Sequence, residues 1–147
     1  MHFGSLHLIP VLYSLLQRGE VAAALARFAD NIDWRFRSGP TEARSRRFAG
    51  RNRVARLLRF LLSRVIIEQI KPEAYLFRPS HVTVFGHTRL YSRVTRRIIE
   101  YNWMDTWSVR GDKVTGLENF PGEPLVYLAV DDRARGASSR IARQTPQ

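Results

Sequence analysis

The sequence predicts an α+β domain, and three observations carry that prediction. Apolar residues recur at helical spacing in two stretches before Ala29 and again from Val54 to Val65. From Ile66 to Phe120 the pattern changes to strand-like runs separated by polar turns. Helices therefore come first and a largely antiparallel sheet follows, the order expected of an α+β architecture.

The elements read as follows. Pro10 suits the first turn of a helix, where its missing N–H costs nothing, and Ser5 can cap it just upstream. Val11, Leu12, Leu15 and Leu16 continue that helix until Gly19. Glu20 opens an alanine-rich second helix through about Ala29, its acid at the positive end of the helix dipole. Asp30 and Asn31 form the turn. Ile32, Trp34 and Phe36 then alternate with Asp33, Arg35 and Arg37, the period of a half-buried strand. Ser38 to Phe48 reads as a polar loop. Beyond Gly50 a third helix carries Val54, Leu57, Leu58, Leu61, Leu62 and Val65 on one stripe. Ile66–Phe77, Val82–Leu90, Arg97–Val109 and Val114–Phe120 are successive strands, with Gly111 and Asp112 turning the last pair. Leu125 to Val130 is a short apolar run suited to a strand or a helix. The domain is thus expected over residues 1–130, and the polar segment 131–147 is expected to be a disordered tail.

At 147 residues the chain has the length of one domain and can bury a real core. It has 44% hydrophobic and 25% charged residues, a soluble, globular balance. Without cysteine, neither disulfides nor thiolate metal sites are possible. His2, His7, His81 and His87 lack the close spacing of a zinc site, so no metal is expected, and no cofactor is implied. Leu6 to Leu16 lacks a preceding basic residue and is broken by Pro10, which favours a helix over a signal peptide; no run is long enough to span a membrane. A cytoplasmic protein is the expectation. Net charge is +11, and eight arginines but no acid lie between Arg44 and Arg64. Such a patch can attract a polyanion. Arginine dominates lysine throughout, however, the same window carries the apolar stripe of a helix, and no nucleic-acid motif accompanies it. Nucleic acid is therefore not the expected partner.

The chemistry concentrates in one strand. Alternation places Tyr101, Trp103, Asp105 and Trp107 on one face, with Asn102, Met104, Thr106 and Ser108 on the other. A carboxylate on an aromatic wall loses solvation, so it needs a partner, a proton or a chemical task. Asp105 is the candidate catalytic residue. Trp34, Phe36, Trp103 and Trp107 suit a flat apolar ligand, or alternatively form ordinary core. Asn119 can orient a ligand carbonyl from the last strand. His87 titrates near neutrality, and a bulge at Gly86 could turn it inward; alternation groups it with Thr83 and Phe85 and leaves open which face is inside.

The segments LLQRGEVAAALARFADNIDWRF, AGRNRVARLLRFL and MDTWSVRGDKVTGLENF, in this order, resemble the SnoaL-like proteins of the nuclear-transport-factor-2-like superfamily, which includes ketosteroid isomerase. The resemblance covers about Pro10 to Phe120. It implies a cone-like curved sheet, antiparallel or mixed, with three N-terminal helices enclosing a pocket for a small apolar or aromatic molecule, and it implies a homodimer. Asp105 aligns with a protonated aspartic acid that donates to an oxyanion in ketosteroid isomerase. That enzyme's tyrosine donor falls on Leu12, one residue from Tyr13, and its general-base aspartate falls on Phe36. The epoxide-hydrolase pattern is not met near Gly86 to Thr88 or at Asn119, and the last-strand acid of SnoaL-type cyclases has only Glu118 and Asn119 to match it. The resemblance thus implies either an isomerase, cyclase or hydratase using Asp105, with Tyr13, Trp34, Phe36, His87, Trp103, Trp107 and Asn119 around the ligand, or a non-catalytic binding or assembly module.

Overall fold

A computed structural model describes residues 5–37 and 45–128 of the chain. Three helices, α1 (Ser5–Gln17), α2 (Val21–Leu25) and α3 (Arg51–Arg64), combine with seven strands: β1 (Phe28–Arg37), β2 (Ser45–Ala49), β3 (Val65–Phe77), β4 (His81–Ser92), β5 (Arg97–Arg110), β6 (Lys113–Pro121) and β7 (Leu125–Leu128). They form one curved, unclosed sheet in the order β2-β1-β6-β5-β4-β3, with β7 added to β5. The β1–β6 pair is parallel and every other pair is antiparallel. The α+β class and the mixed sheet with N-terminal helices are as expected.

Local chemistry explains most boundaries. Gly19 at φ +72° ends the first helical segment, and Gly111 at φ +64° occupies the two-residue turn between Arg110 and Lys113, a backbone region that glycine enters without a Cβ penalty. Pro10 lies inside α1 and not in its first turn, because the helix already begins at Ser5. The second helix is a single short turn, so the expected extent to Ala29 is corrected: β1 starts at Phe28. Asp30 and Asn31 are not a turn. They lie exposed in an irregular stretch of β1, where the pairing to β6 jumps between Phe28 and Asp33.

Part of the expected loop is also a strand. Ser45–Ala49 pairs antiparallel with β1, Trp34 opposite Phe48 and Phe36 opposite Arg46. Residues 125–128 form a strand on the N-terminal half of β5, beside Arg97 to Glu100. The expected disordered tail, 131–147, lies outside the described residues.

The core sits between the inner sheet face and the helices. Ile9 and Leu12 of α1, Phe28, Ile32 and Trp34 of β1, Val54 and Leu58 of α3, and Val82, Val84, Trp103, Trp107, Val114 and Leu117 of the central strands pack together. Each fully buried branched or aromatic side chain contributes about 1.5–3 kcal/mol relative to exposure, so this layer holds α1 and α3 against the sheet. No helix among the described residues is long and apolar enough to cross a membrane.

Candidate functional site

Between the concave sheet face and α3 lies a cavity of about 470 Å³. Its roof is apolar, formed by Leu57, Leu58, Phe60, Leu61 and Leu62 of α3 with Leu16 of α1. Its floor is the inner face of β1, β2, β4, β5 and β6: Trp34, Phe36, Arg46, Phe48, Thr88, Tyr101, Trp103, Asp105, Trp107, Leu117 and Asn119. Volume and lining match a site for a small, largely apolar molecule. A second hollow of about 470 Å³ lies between α1 and β3, sharing Tyr13 and Ile70, but none of its described lining residues is a carboxylate.

Strand alternation delivers Trp103, Asp105 and Trp107 together to the cavity side. Asp105 is only 5% exposed. The Tyr13 hydroxyl, from α1, donates to Asp105 Oδ2 at 2.6 Å, and Trp107 Nε1–H donates to the Tyr13 oxygen at 2.7 Å. Asn119 Nδ2–H donates to the other carboxylate oxygen from the neighbouring strand, where Asp105 and Asn119 are register partners. Burial raises the Asp105 carboxyl, and the donors Tyr13 and Asn119 act against it; the result is a value pushed up to about 6. Burial first, and then the adjacent carboxylate, push Tyr13 far above its ordinary value, so its hydroxyl keeps its proton. The site therefore presents one carboxyl that can gain or lose a proton near neutrality, held by a hydroxyl that cannot lose its own.

The aromatic wall has its own order. Tyr13 stacks on Trp103 at 5.2 Å between ring centroids and meets Trp107 edge-on at 5.6 Å. Trp103 Nε1–H donates to Thr88 Oγ1 at 2.7 Å. Gly86, the register partner of Trp103, makes room for the indole: a Cβ there would come within 2.3 Å of the ring and 2.7 Å of the Lys71 carbonyl oxygen. Trp34 and Phe36 continue the wall along β1. The buried Trp34 indole N–H has no acceptor among the described residues.

Of the residues singled out in the sequence, the structure brings Asp105, Tyr13, Trp34, Phe36, Trp103, Trp107 and Asn119 to this cavity. His87 is not with them. The β4–β5 pairing runs without a break from His81 to Tyr91, so no bulge at Gly86 turns the ring inward, and the irregularity lies instead in β3, opposite Gly86. His87 stays on the convex face, where Nδ1 meets Asn102 Oδ1 at 2.9 Å and Nε2 meets Glu100 Oε1 at 2.8 Å. Two acceptors suit a doubly protonated ring; the Asn102 contact first and the Glu100 contacts after it raise its pKa against the effect of burial. Leu12 is core, and the adjacent Tyr13 is the residue that reaches Asp105.

Sequence reasoning missed Arg46, Phe48, Thr88, Tyr101 and the α3 leucines as lining residues. Alternation carried a signal for two of them: Thr88 shares a face with Val84 and Gly86, and Tyr101 shares one with Trp103. Arg46 and Phe48 had none while their segment was read as a loop.

The architecture is the NTF2-like, ketosteroid-isomerase-like fold. Among solved structures, the chain is similar to an NTF2-like protein from Burkholderia xenovorans LB400, at 22% identity over 91% of this chain and 97% of that one, with a TM-score of 0.67. It is similar to an LEH-like epoxide hydrolase from M. tuberculosis, at 15% identity over 82% and 84% of the two chains, TM-score 0.68. A third is a protein with a ketosteroid isomerase-like fold from Catenulispora acidiphila DSM 44928, solved with trimethylamine, at 10% identity over 77% and 83%, TM-score 0.66. No protein-family model and no curated protein matches the sequence.

Proposed function

We propose that this chain binds a small, largely apolar molecule in the cavity and that Asp105 exchanges a proton with it, as a proton-transfer enzyme of the isomerase or lyase type. The observation that carries the reading is a 5%-exposed carboxyl, raised to about 6, on the wall of an aromatic cavity. Such a group is matched to proton transfer near neutral pH. Tyr13 and Asn119 fix its orientation, and Trp103 and Trp107 flank it with apolar surface. In the ionised state the carboxylate accepts a proton from the ligand, and in the neutral state it donates one. Domain extent over residues 1–130, a homodimer and a cytoplasmic location belong to the same proposal; exposed Phe85 on the convex sheet face supports pairing there, and sedimentation tests it.

The test is solvent hydrogen exchange. A panel of enolisable apolar ketones is incubated with the protein in D2O and followed by NMR. Wild type is expected to catalyse carbon-bound deuterium incorporation in a bound member. Asp105→Asn is expected to lose about 100-fold or more of that rate while keeping affinity. Equal rates in both would remove Asp105 from the reaction.

A second reading is a binding module without catalysis. It is favoured by one fact: among the described lining residues Asp105 is the one carboxylate, and no imidazole accompanies it. Tight binding across the panel with no exchange in wild type selects this reading.

A further inference from the structure

Resting on the cavity reading above, we propose that the occupant is an amphipathic monoanion, an apolar body bearing one carboxylate, whose charged group is held by Arg46 at the cavity mouth while its uncharged end reaches Asp105.

Three observations lead there. Arg46 and Phe48 alternate with Arg47 on β2, and the pairing of Phe36 with Arg46 and Trp34 with Phe48 puts the first two on the cavity side. Arg47 falls on the opposite face, where it binds Asp33 at 2.9 Å. The neighbouring arginines are also occupied: Arg35 with Asp33 at 3.2 Å and Arg37 with Glu118 at 2.8 Å. Arg46, exposed and lining the cavity, has no carboxylate partner among the described residues.

Register supplies the spacing. Arg46 pairs with Phe36, Phe36 with Asn119, and Asn119 with Asp105, so the four lie on one transverse row of the sheet. Three strand spacings separate its ends, about 14 Å along the sheet between the Cα atoms of Arg46 and Asp105. Aromatic and leucine side chains fill the interval. A ligand anion beside Asp105 would meet a like charge in apolar surroundings, so its place is at the guanidinium. One guanidinium suits one carboxylate, which it grips with two parallel hydrogen bonds; a doubly charged phosphate would keep an unbalanced charge against the aromatic wall.

The experiment is calorimetric titration of the full chain with 4-(1-naphthyl)butanoate, its methyl ester, and a naphthylalkyl phosphate of similar length. Because Arg46 is exposed, the expected preference for acid over ester is about fivefold to tenfold at low salt, shrinking as ionic strength rises. Arg46→Met should erase that preference, lowering acid affinity by more than ester affinity, and should melt as wild type does. Ester binding with no preference for the acid, a preference that survives Arg46→Met, or tighter binding of the phosphate overturns the assignment of Arg46 and leaves the cavity reading intact. Failure of both acid and ester to bind overturns this proposal together with the cavity reading on which it rests.

Discussion

At the scale of single residues, the informative balance is at Asp105. Burial raises its carboxyl from an ordinary 3.8 to about 6, although Tyr13 and Asn119 both donate to it. The native state thus holds this proton more tightly than the unfolded chain. Its contribution to stability is largest below about pH 4 and is lost as pH rises through about 6, a change on the order of 3 kcal/mol. Melting curves of wild type and Asp105→Asn across that window should therefore differ in slope: the wild type loses stability relative to the variant as pH climbs, and parallel curves would show an unshifted acid. Tyr13→Phe has a separate expected effect. It removes a donor from Asp105 and the acceptor of the Trp107 N–H together, both buried, and should cost about 1–3 kcal/mol by denaturant titration. The sequence was legible at Asp105, Trp103 and Trp107 because a strand has a period of two, which one flanking aromatic on each side makes unmistakable. It was less so at Tyr13, since reach from a helix depends on where the helix axis docks, and that is set by distant packing.

Among elements, β4 shows how one missing side chain positions another. Gly86 leaves room for Trp103, which in turn stacks on Tyr13 and donates to Thr88. Gly86→Ala would drive a methyl into the indole and the Lys71 carbonyl, with an expected cost of about 1–3 kcal/mol in chemical denaturation. Backbone strain is not the cause here; loss of space is. Strand β2 teaches the opposite lesson. Its five residues carry two arginines and one large apolar side chain, too little to announce a strand locally. Pairing with Trp34 and Phe36 decides its conformation, and no local pattern contains that partner. The parallel β1–β6 pairing is hidden for the same reason: the two strands are far apart in sequence, whereas the β5–β6 hairpin was visible in its Gly111-Asp112 turn.

For the molecule as a whole, the order of helices and strands was readable from periodicity except at β2, and curvature was not. The cavity depends on that curvature, because α3 can roof the floor only where the sheet bends away beneath it. A chain of net charge +11 also repels itself when compact. Added salt should screen this: from about 20 mM to about 300 mM sodium chloride the melting temperature is expected to rise. A fall would mean that the ion pairs at Asp33, Glu118 and Glu100 outweigh the general repulsion.

The link from Trp107 through the Tyr13 hydroxyl to Asp105 has an optical consequence. Protonating the acid alters the field felt by an indole two hydrogen bonds away, so intrinsic fluorescence should titrate with a midpoint of about 6. The protein would then carry its own dye for the state of its buried acid, readable without any ligand in hand.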